Sequence, residues 1–256
     1  MKKLLVTGCS WTWGQGIELA YPPNYGMDWE NRSQNWMKLS EGQLEFIRTN
    51  RWSKLLADKM GLEEVNVSTP GNSNASSLKS LVEWIDKNDL NDTDTIIFQI
   101  THPFRYFALN MEGNTPTTGY ELAEYIEKEL KKGKLDLNWM NSMHEQIHTN
   151  FILLEERHNS FMEALTNWFT ELKETHPSLN IHILEWIDET DYNMVENPYY
   201  LNLFNGKSVM DWSNDNKLTG QHWMNNNGFK TLFPEGHLSI DGMKIFSDIL
   251  YDKIKN

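Results

Sequence analysis

Short runs of consecutive apolar residues recur along the chain and end at polar or turn-forming positions. The first run covers Lys3–Thr7 and stops at Gly8. A run that is apolar on both of its faces is typical of a strand buried inside a parallel sheet. The runs therefore predict four strands, at Lys3–Thr7, Val65–Val67, Thr95–Ile100 and Ile181–Trp186.

Between these runs, apolar residues recur every three or four positions. Trp52, Leu56 and Met60 would share one face of a helix, and Gly61 can end that helix. The same spacing occurs in three later segments. Together these segments predict helices at Arg51–Met60, Ala75–Lys87, Met143–Thr175 and Ile240–Ile254, with a shorter charged helix at Glu121–Lys132.

Strands that alternate with helices are typical of α/β proteins. We therefore expect a flavodoxin-like, doubly wound parallel sheet of four to five strands, in a single domain that covers residues 1–256. Two stretches, at about 104–141 and 188–233, do not fit the alternation and are predicted to be insertions. Long loops often form functional lids, so we expect these insertions to be lid-like.

The net charge of the chain argues against some classes of binding partner. Its 36 acidic residues outnumber its 23 basic residues and give a formal net charge of -13. This charge repels phosphates and anionic lipid headgroups, and the sequence carries no dense stripe of Lys or Arg, so we expect no nucleic-acid partner. No run of roughly 20 apolar residues is present, so we expect no membrane partner either.

The first residues and the cysteine content bear on the compartment. Lys2 and Lys3 precede an apolar run, but Gly8 follows too soon for the core of a signal peptide. The single cysteine, Cys9, cannot form an internal disulfide, which suits a reducing compartment. We therefore expect a cytoplasmic protein.

Residues that carry chemistry follow the predicted strands. Ser10, Gly71 and Thr101 each come after a strand, and ligands bind outside the carboxyl ends of parallel strands. Glu235 and His237 come shortly before the last predicted helix. These elements offer a hydroxyl, an imidazole, a carboxylate and backbone amides, which are the groups that acyl transfer uses. We expect neither a cofactor nor a metal ion in such a site.

The segment Gly8–Gly14 resembles the first block of the SGNH (GDSL-type) hydrolases, Gly-Asp-Ser-x-Thr-x-Gly, with Cys9 in place of the aspartate. Downstream, the segment Gly71–Asn74 resembles the second block of that family. His237 corresponds to the histidine of the last block, Asp-x-x-His. The resemblance runs along most of the chain, although the two predicted insertions fall outside it.

The resemblance implies an SGNH fold and a serine esterase. Ser10 would attack an ester carbonyl while His237 accepts its proton, and the amides of Ser10 and Gly71 would hold the oxyanion. The implied substrate is a small-molecule or glycan ester. The favoured acyl group is a small one such as acetyl on a carbohydrate, an expectation that follows from family analogy.

Two positions depart from the family pattern. The aspartate three residues before the histidine falls on Pro234, so Glu235 is the nearest carboxylate, and the site is either a triad with Glu235 or a Ser-His dyad. The third block, Gly-x-Asn-Asp, is missing, and Gln99–His102 occupies the equivalent strand end. Thr101 is then the expected third oxyanion donor, with His102 behind it.

Two other functions fit parts of the sequence. The missing third block and the displaced acid would suit an SGNH-fold binding protein without catalytic activity. The run His144–His148 satisfies the HExxH pattern of zinc metallopeptidases, and Glu163 or Glu171 could supply a third ligand. Asn150 is polar where such motifs usually carry an apolar residue, which favours a chance match on a solvated helix face.

Overall fold

The structure is a computed structural model, and it describes residues 1–21, 39–101, 108–109, 116–117, 158–186, 194–227 and 236–255. Its strands are β1 (Lys3–Thr7), β2 (Glu63–Asn66), β3 (Thr95–Ile100), β4 (Ala108–Leu109), β5 (Pro116–Thr117) and β6 (Asn180–Glu185). Its helices are α1 (Ser10–Trp13), α2 (Glu41–Asn50), α3 (Trp52–Met60), α4 (Asn74–Lys87), α5 (158–175), α6 (Val209–Asp215), α7 (Gly220–Asn226) and α8 (Ile240–Lys255). None of the helices in these segments is both long enough and apolar enough to cross a lipid bilayer.

Four of the strands form one parallel sheet, in the order β2-β1-β3-β6. Leu5 of β1 aligns with Val65 of β2 on one side and with Ile96 of β3 on the other. Beyond β6, a parallel bridge between Ile183 and Tyr200 continues the sheet. The predicted α/β class, with a parallel sheet of four to five strands, is confirmed.

Helices cover both faces of this sheet. Successive strand residues point to opposite faces, so Leu4 and Val6 of β1 pack on one side and Leu5 on the other. Leu4 and Val6 lie in a buried cluster with residues of α2, α3 and α8. Leu5 lies in a second buried cluster with residues of α4 and α5. The faces are thus closed by helices, and the loops at the carboxyl edge of the sheet are left to form a site.

Most predicted elements are confirmed, with shifts at their ends. β1 and β3 have the predicted bounds, whereas β2 begins at Glu63 rather than Val65. The early start is possible because Glu64, which breaks the apolar pattern, is paired with Arg51 through two hydrogen bonds of 2.9 and 2.8 Å. The first part of the predicted helix at 143–175 and the charged helix at 121–132 lie outside the described residues.

Helix α2 has no counterpart among the predicted elements. Ser40 and Gln43 form a capping box at its start, in which Ser40 Oγ accepts from the Gln43 N–H at 3.3 Å and Gln43 Oε1 accepts from the Ser40 N–H at 2.8 Å. The sequence carries this signal, because a serine followed three positions later by glutamine is a known helix start. Ile47 anchors the helix in the core.

The prediction of surface loops over 188–233 is wrong for the part that the structure describes. Residues 194–227 contain the seven-residue helices α6 and α7, and Ser208 caps α6 by accepting from the Asp211 N–H at 3.1 Å. Val209 and Met224 are buried. Two turns of helix are too short for a clear period, which explains the error. The described part of this segment thus contains helices that contribute buried residues and is not made of loops alone. Of the other predicted insertion, at 104–141, the structure describes only the antiparallel pair β4 and β5.

Two histidines, His158, which is buried, and His182, which is partly buried, should make the stability of the fold depend on pH. Burial lowers the pKa of His158 to about 4, and burial together with the positive charge of Lys173 lowers the pKa of His182 to about 4. An unfolded histidine takes up a proton near pH 6.5, so the unfolded state binds more protons than the folded state between pH 6.5 and about 4. The free energy of unfolding should therefore fall as pH falls through this window, by roughly 3 kcal/mol for each histidine.

A His182→Leu variant tests this expectation, because His182 Nε2 has no hydrogen-bond partner to lose in the described part of the chain. The decrease in the free energy of unfolding between about pH 6.5 and 4 should be smaller in the variant by roughly 3 kcal/mol. Urea denaturation at several pH values measures the difference, and the comparison near pH 7 separates the effect of packing. Equal pH slopes in the two proteins would contradict the assignment.

Candidate active site

The turn after β1 holds Ser10 at the carboxyl edge of the sheet. Ser10 is the first residue of α1, a single helical turn that Gly14 ends with a left-handed φ of 97° and an N–H bond of 3.0 Å to Ser10 O. Ser10 is 4% exposed. Its backbone N–H donates to no other residue in the described segments. The hydroxyl is therefore held on a short turn beside an amide that is available to a ligand.

The side chain of Gln99 anchors this turn to β3. Gln99 Oε1 accepts a hydrogen bond of 2.5 Å from the Thr12 hydroxyl and one of 3.3 Å from the Cys9 N–H. Gln99 is fully buried, so these bonds are shielded from water. Gly8 permits the close approach, because a Cβ at this position would lie 2.6 Å from Gln99 Oε1. The position of α1 is thus fixed from inside the protein.

The loop after β2 is tied to the same turn. Asn66 Nδ2 donates to Thr12 O at 2.9 Å, and the Thr69 N–H donates to Gly8 O at 3.4 Å. Further along this loop, Gly71 has a φ of +79°, and open space surrounds the position that a Cβ would take. The Gly71 N–H has no partner among the described residues. A second amide is therefore available on a loop that is bonded to the serine turn.

Asn74 joins the start of α4 to the end of β3. Asn74 Oδ1 accepts from the Thr101 N–H at 2.8 Å, and Asn74 Nδ2 donates to Thr101 O at 3.2 Å. Both residues are buried. Ser73 provides the helix cap, since its Oγ accepts from the Ser76 N–H at 3.1 Å. Thr101 is therefore fixed against the loop that carries Gly71.

Main-chain hydrogen bonds hold His237 against the segment that leads into α7. The Gly220 N–H donates to His237 O at 2.7 Å, and the Ser239 N–H donates to Leu218 O at 2.8 Å. Ser239 Oγ also accepts from the Gly242 N–H at 3.1 Å in the first turn of α8. A Cβ on Gly242 would collide with Leu218 O, so glycine permits this packing. His237 is thus positioned by the elements on both sides of it.

Ser10 and His237 meet at the edge of the sheet. His237 Nε2 lies 2.8 Å from Ser10 Oγ. With the ring proton on Nδ1, Nε2 accepts a hydrogen bond from the hydroxyl, which is the arrangement that a general base requires. The Sγ atom of Cys9 lies 4.0 Å from the same hydroxyl. This geometry can remove the serine proton as Oγ attacks an electrophilic carbon.

Trp11 packs against the imidazole of His237. The ring centroids are 4.4 Å apart, with an angle of 39° between the ring planes. Trp11 also packs against Trp186, and the centroids of these two rings are 4.3 Å apart. Trp11 is 6% exposed and Trp186 is fully buried. The imidazole therefore lies on an aromatic surface that is largely shielded from water.

Several predicted site residues lie outside the described part of the chain. They are Glu235, His102 and the HExxH segment His144–His148. Glu163 and Glu171, the proposed partners of that segment, lie on α5. Within the described segments, no three His, Cys, Asp or Glu side chains are grouped so that they could hold a metal ion.

The contributions of Gln99, Asn74 and Trp11 were not predicted from the sequence. The role of Gln99 could have been predicted, because Gln99 is polar in an otherwise apolar strand and a buried side-chain amide needs hydrogen-bond partners. Asn74 lies in a run of turn-forming residues that indicates a helix cap. Nothing in this run indicates its hydrogen bonds to Thr101. Trp11 occupies a variable position of the first block, so the pattern itself assigned it no function.

Comparison with protein-family models finds no match for this chain, and comparison with curated protein sequences finds none either. Among solved structures, one similar protein is a carbohydrate esterase whose active site is described as displaying divergent catalytic and non-catalytic binding functions. The two chains are 11% identical, with a TM-score of 0.43 over 99% of this chain. This chain spans 64% of the length of that esterase. The chemistry of the site therefore has to be argued from its own geometry.

Proposed function

We propose that the chain is an SGNH-type serine esterase in which Ser10 is the nucleophile and His237 is the general base. The observation that carries the proposal is the distance of 2.8 Å between His237 Nε2 and Ser10 Oγ. A serine hydroxyl is a weak nucleophile at neutral pH, and an adjacent imidazole activates it by accepting its proton. The resemblance of Gly8–Gly14, Gly71–Asn74 and His237 to three SGNH blocks, in the same order, supports this assignment.

The first half of the reaction acylates Ser10. Oγ attacks the carbonyl carbon of the ester while its proton passes to His237 Nε2, and the carbonyl oxygen becomes an oxyanion. The N–H groups of Ser10 and Gly71 donate to this oxygen, and each donor can contribute about 3 kcal/mol to transition-state stabilisation. Thr101 is the third donor in this proposal, with His102 behind it.

The remaining steps complete the acylation and then release the acyl group. The imidazolium of His237 gives its proton to the departing alkoxide, so the alcohol leaves and the acyl-enzyme remains. Water then attacks the acyl carbon as His237 takes a proton from it, and the carboxylic acid is released with Ser10 regenerated. Glu235 would orient the ring and stabilise its positive charge if the site is a triad, and a Ser-His dyad is the alternative.

The substrate in this proposal is an ester with a small acyl group, such as acetyl on a carbohydrate. Ser10 and Trp11 are 4% and 6% exposed, so a narrow acyl group reaches Oγ more easily than a bulky one. The carbohydrate part follows from the resemblance to the SGNH hydrolases.

Covalent labelling tests the proposal on the full chain. A fluorophosphonate probe should form one adduct, which peptide mass spectrometry maps to Ser10, and labelling should stop hydrolysis of p-nitrophenyl acetate. Heat-unfolded protein is the control and should not react, because the nucleophile is activated only in the folded site. A folded protein that resists the probe would favour the binding-protein hypothesis. Stoichiometric zinc that is lost in His144→Ala would favour the peptidase hypothesis instead.

A further inference from the structure

We propose that Trp11 is a positioning residue for His237 and that its indole ring stabilises the protonated imidazole during the reaction. The inference rests on the proposed function, because it concerns the histidine that acts as the base. It starts from the contact between the two rings, whose centroids are 4.4 Å apart with planes inclined at 39°.

The indole contacts more than the imidazole ring. A Cβ built on Gly236 would lie 3.5 Å from the Trp11 ring, so the backbone just before His237 also lies against the indole. Trp186, which is fully buried, contacts Trp11 with a centroid distance of 4.3 Å. Trp11 is therefore held in place by the buried Trp186, and in turn it holds the His237 turn in place.

Helix α1 carries both Ser10, the proposed nucleophile, and Trp11, which packs against the proposed base. Trp11 directly follows Ser10 in α1. The hydroxyl of the next residue, Thr12, donates a hydrogen bond to Oε1 of the buried Gln99. A movement of α1 would shift Ser10 Oγ and the aromatic surface together. The relative placement of Oγ and the imidazole, at 2.8 Å, is thus maintained by one rigid unit.

The electronic contribution follows from the change in charge. When the proton passes from Ser10 Oγ to His237 Nε2, the imidazole becomes a cation, and the electron-rich face of an indole attracts cations within about 6 Å. Trp11 is 6% exposed, so water screens this attraction little. The neutral imidazole gains much less from the contact. The interaction is therefore stronger in the transition state than in the resting enzyme, which is the condition for accelerating the reaction.

Other titratable groups lie on the elements around His237 and bear on its protonation. The Trp11 substitutions leave all of them in place, so a change between variants reports on the indole. They are Cys9 beside the nucleophile, Glu185 before Trp186, His222 in α7 and Asp241 in the first turn of α8.

The test compares Trp11→Leu and Trp11→Phe in the full chain, with p-nitrophenyl acetate as substrate. Trp11→Leu should lower kcat about tenfold with KM changed by less than about twofold, and the acidic limb of the pH–rate profile should move to lower pH. Trp11→Phe retains an aromatic face and should recover most of kcat and the position of the limb. Trp212→Leu is the matched control, because Trp212 stacks on Phe204 at the same centroid distance of 4.4 Å. Its loss should affect stability and leave the kinetics unchanged.

Each outcome decides the inference. A Trp11→Leu variant as active as Trp212→Leu would overturn it, and so would a loss of kcat with the acidic limb unmoved or without recovery in Trp11→Phe. Fluorophosphonate labelling of Ser10 in the same samples keeps the two proposals apart. Labelling that persists while the Trp11 effects are missing overturns the inference alone, whereas a wild-type protein that resists the probe overturns both.

Discussion

Alanine in place of Ser10 is expected to lower kcat/KM for p-nitrophenyl acetate by about 10⁴-fold or more, because it removes the hydroxyl that lies 2.8 Å from His237 Nε2. His237→Ala should have a comparable effect, since Oγ then keeps its proton during attack. The double variant should be no worse than the single ones, because the two side chains act as one unit. Initial rates measure the losses, and circular dichroism verifies that each variant is folded.

Ser80→Ala is the matched control for the serine substitution. Ser80 lies on α4, and its hydroxyl donates to Ser76 O at 3.1 Å, away from the His237 turn. This variant should keep wild-type kinetics. Substantial activity in a folded Ser10→Ala protein would contradict the assignment of the nucleophile.

Gly8→Ala is expected to destabilise the protein and to remove activity. The added Cβ would lie 2.6 Å from Gln99 Oε1 and 2.8 Å from Thr12 Oγ1, so the buried anchor of α1 would have to shift. Overpacking and an unfavourable backbone conformation at this site should together cost about 3 kcal/mol in the free energy of unfolding. Urea denaturation measures the stability, and labelling of Ser10 by a fluorophosphonate reports on the site.

Gly61→Ala separates the two causes of that loss. Gly61 ends α3 with a φ of +67°, and no atom lies within 4 Å of the position that a Cβ would take. Only the backbone cost remains, and it should be about 1 kcal/mol with activity retained. Equal losses of stability in the two variants would contradict the role given to the contact between Gly8 and Gln99.

The sheet could be predicted from the sequence because its signal is local. Nearly all residues of β1 and β3 are buried, so each strand is a short, mainly apolar run, and its length of five or six residues with turn-forming residues after it favours a strand over a helix. β2 was placed less accurately, because the pairing of Glu64 with Arg51 depends on a residue thirteen positions away. Helices α6 and α7 were missed because two turns give too little repetition for a period to be recognised.

The site could be predicted only in part, for a related reason. Ser10, Gly71 and Thr101 follow strands, and the topology of a parallel sheet gathers such residues at one edge. The hydrogen bond between Thr12 and Gln99 joins residues that are 87 positions apart, and no local pattern indicates it. The contact of Trp11 with His237 likewise depends on the packing of the whole molecule. The proposed reacting groups could thus be predicted from the sequence more readily than the residues that hold them in place.

The separation of Ser10 and His237 by 227 residues has a consequence for synthesis of the chain. A ribosome makes the proposed nucleophile early and the histidine almost two hundred and thirty codons later, after the four described strands of the sheet have been translated. Nascent or truncated chains therefore carry Ser10 without the proposed base, His237. Such fragments should remain chemically silent toward cellular esters, and acquisition of probe reactivity would serve as a reporter that folding is complete.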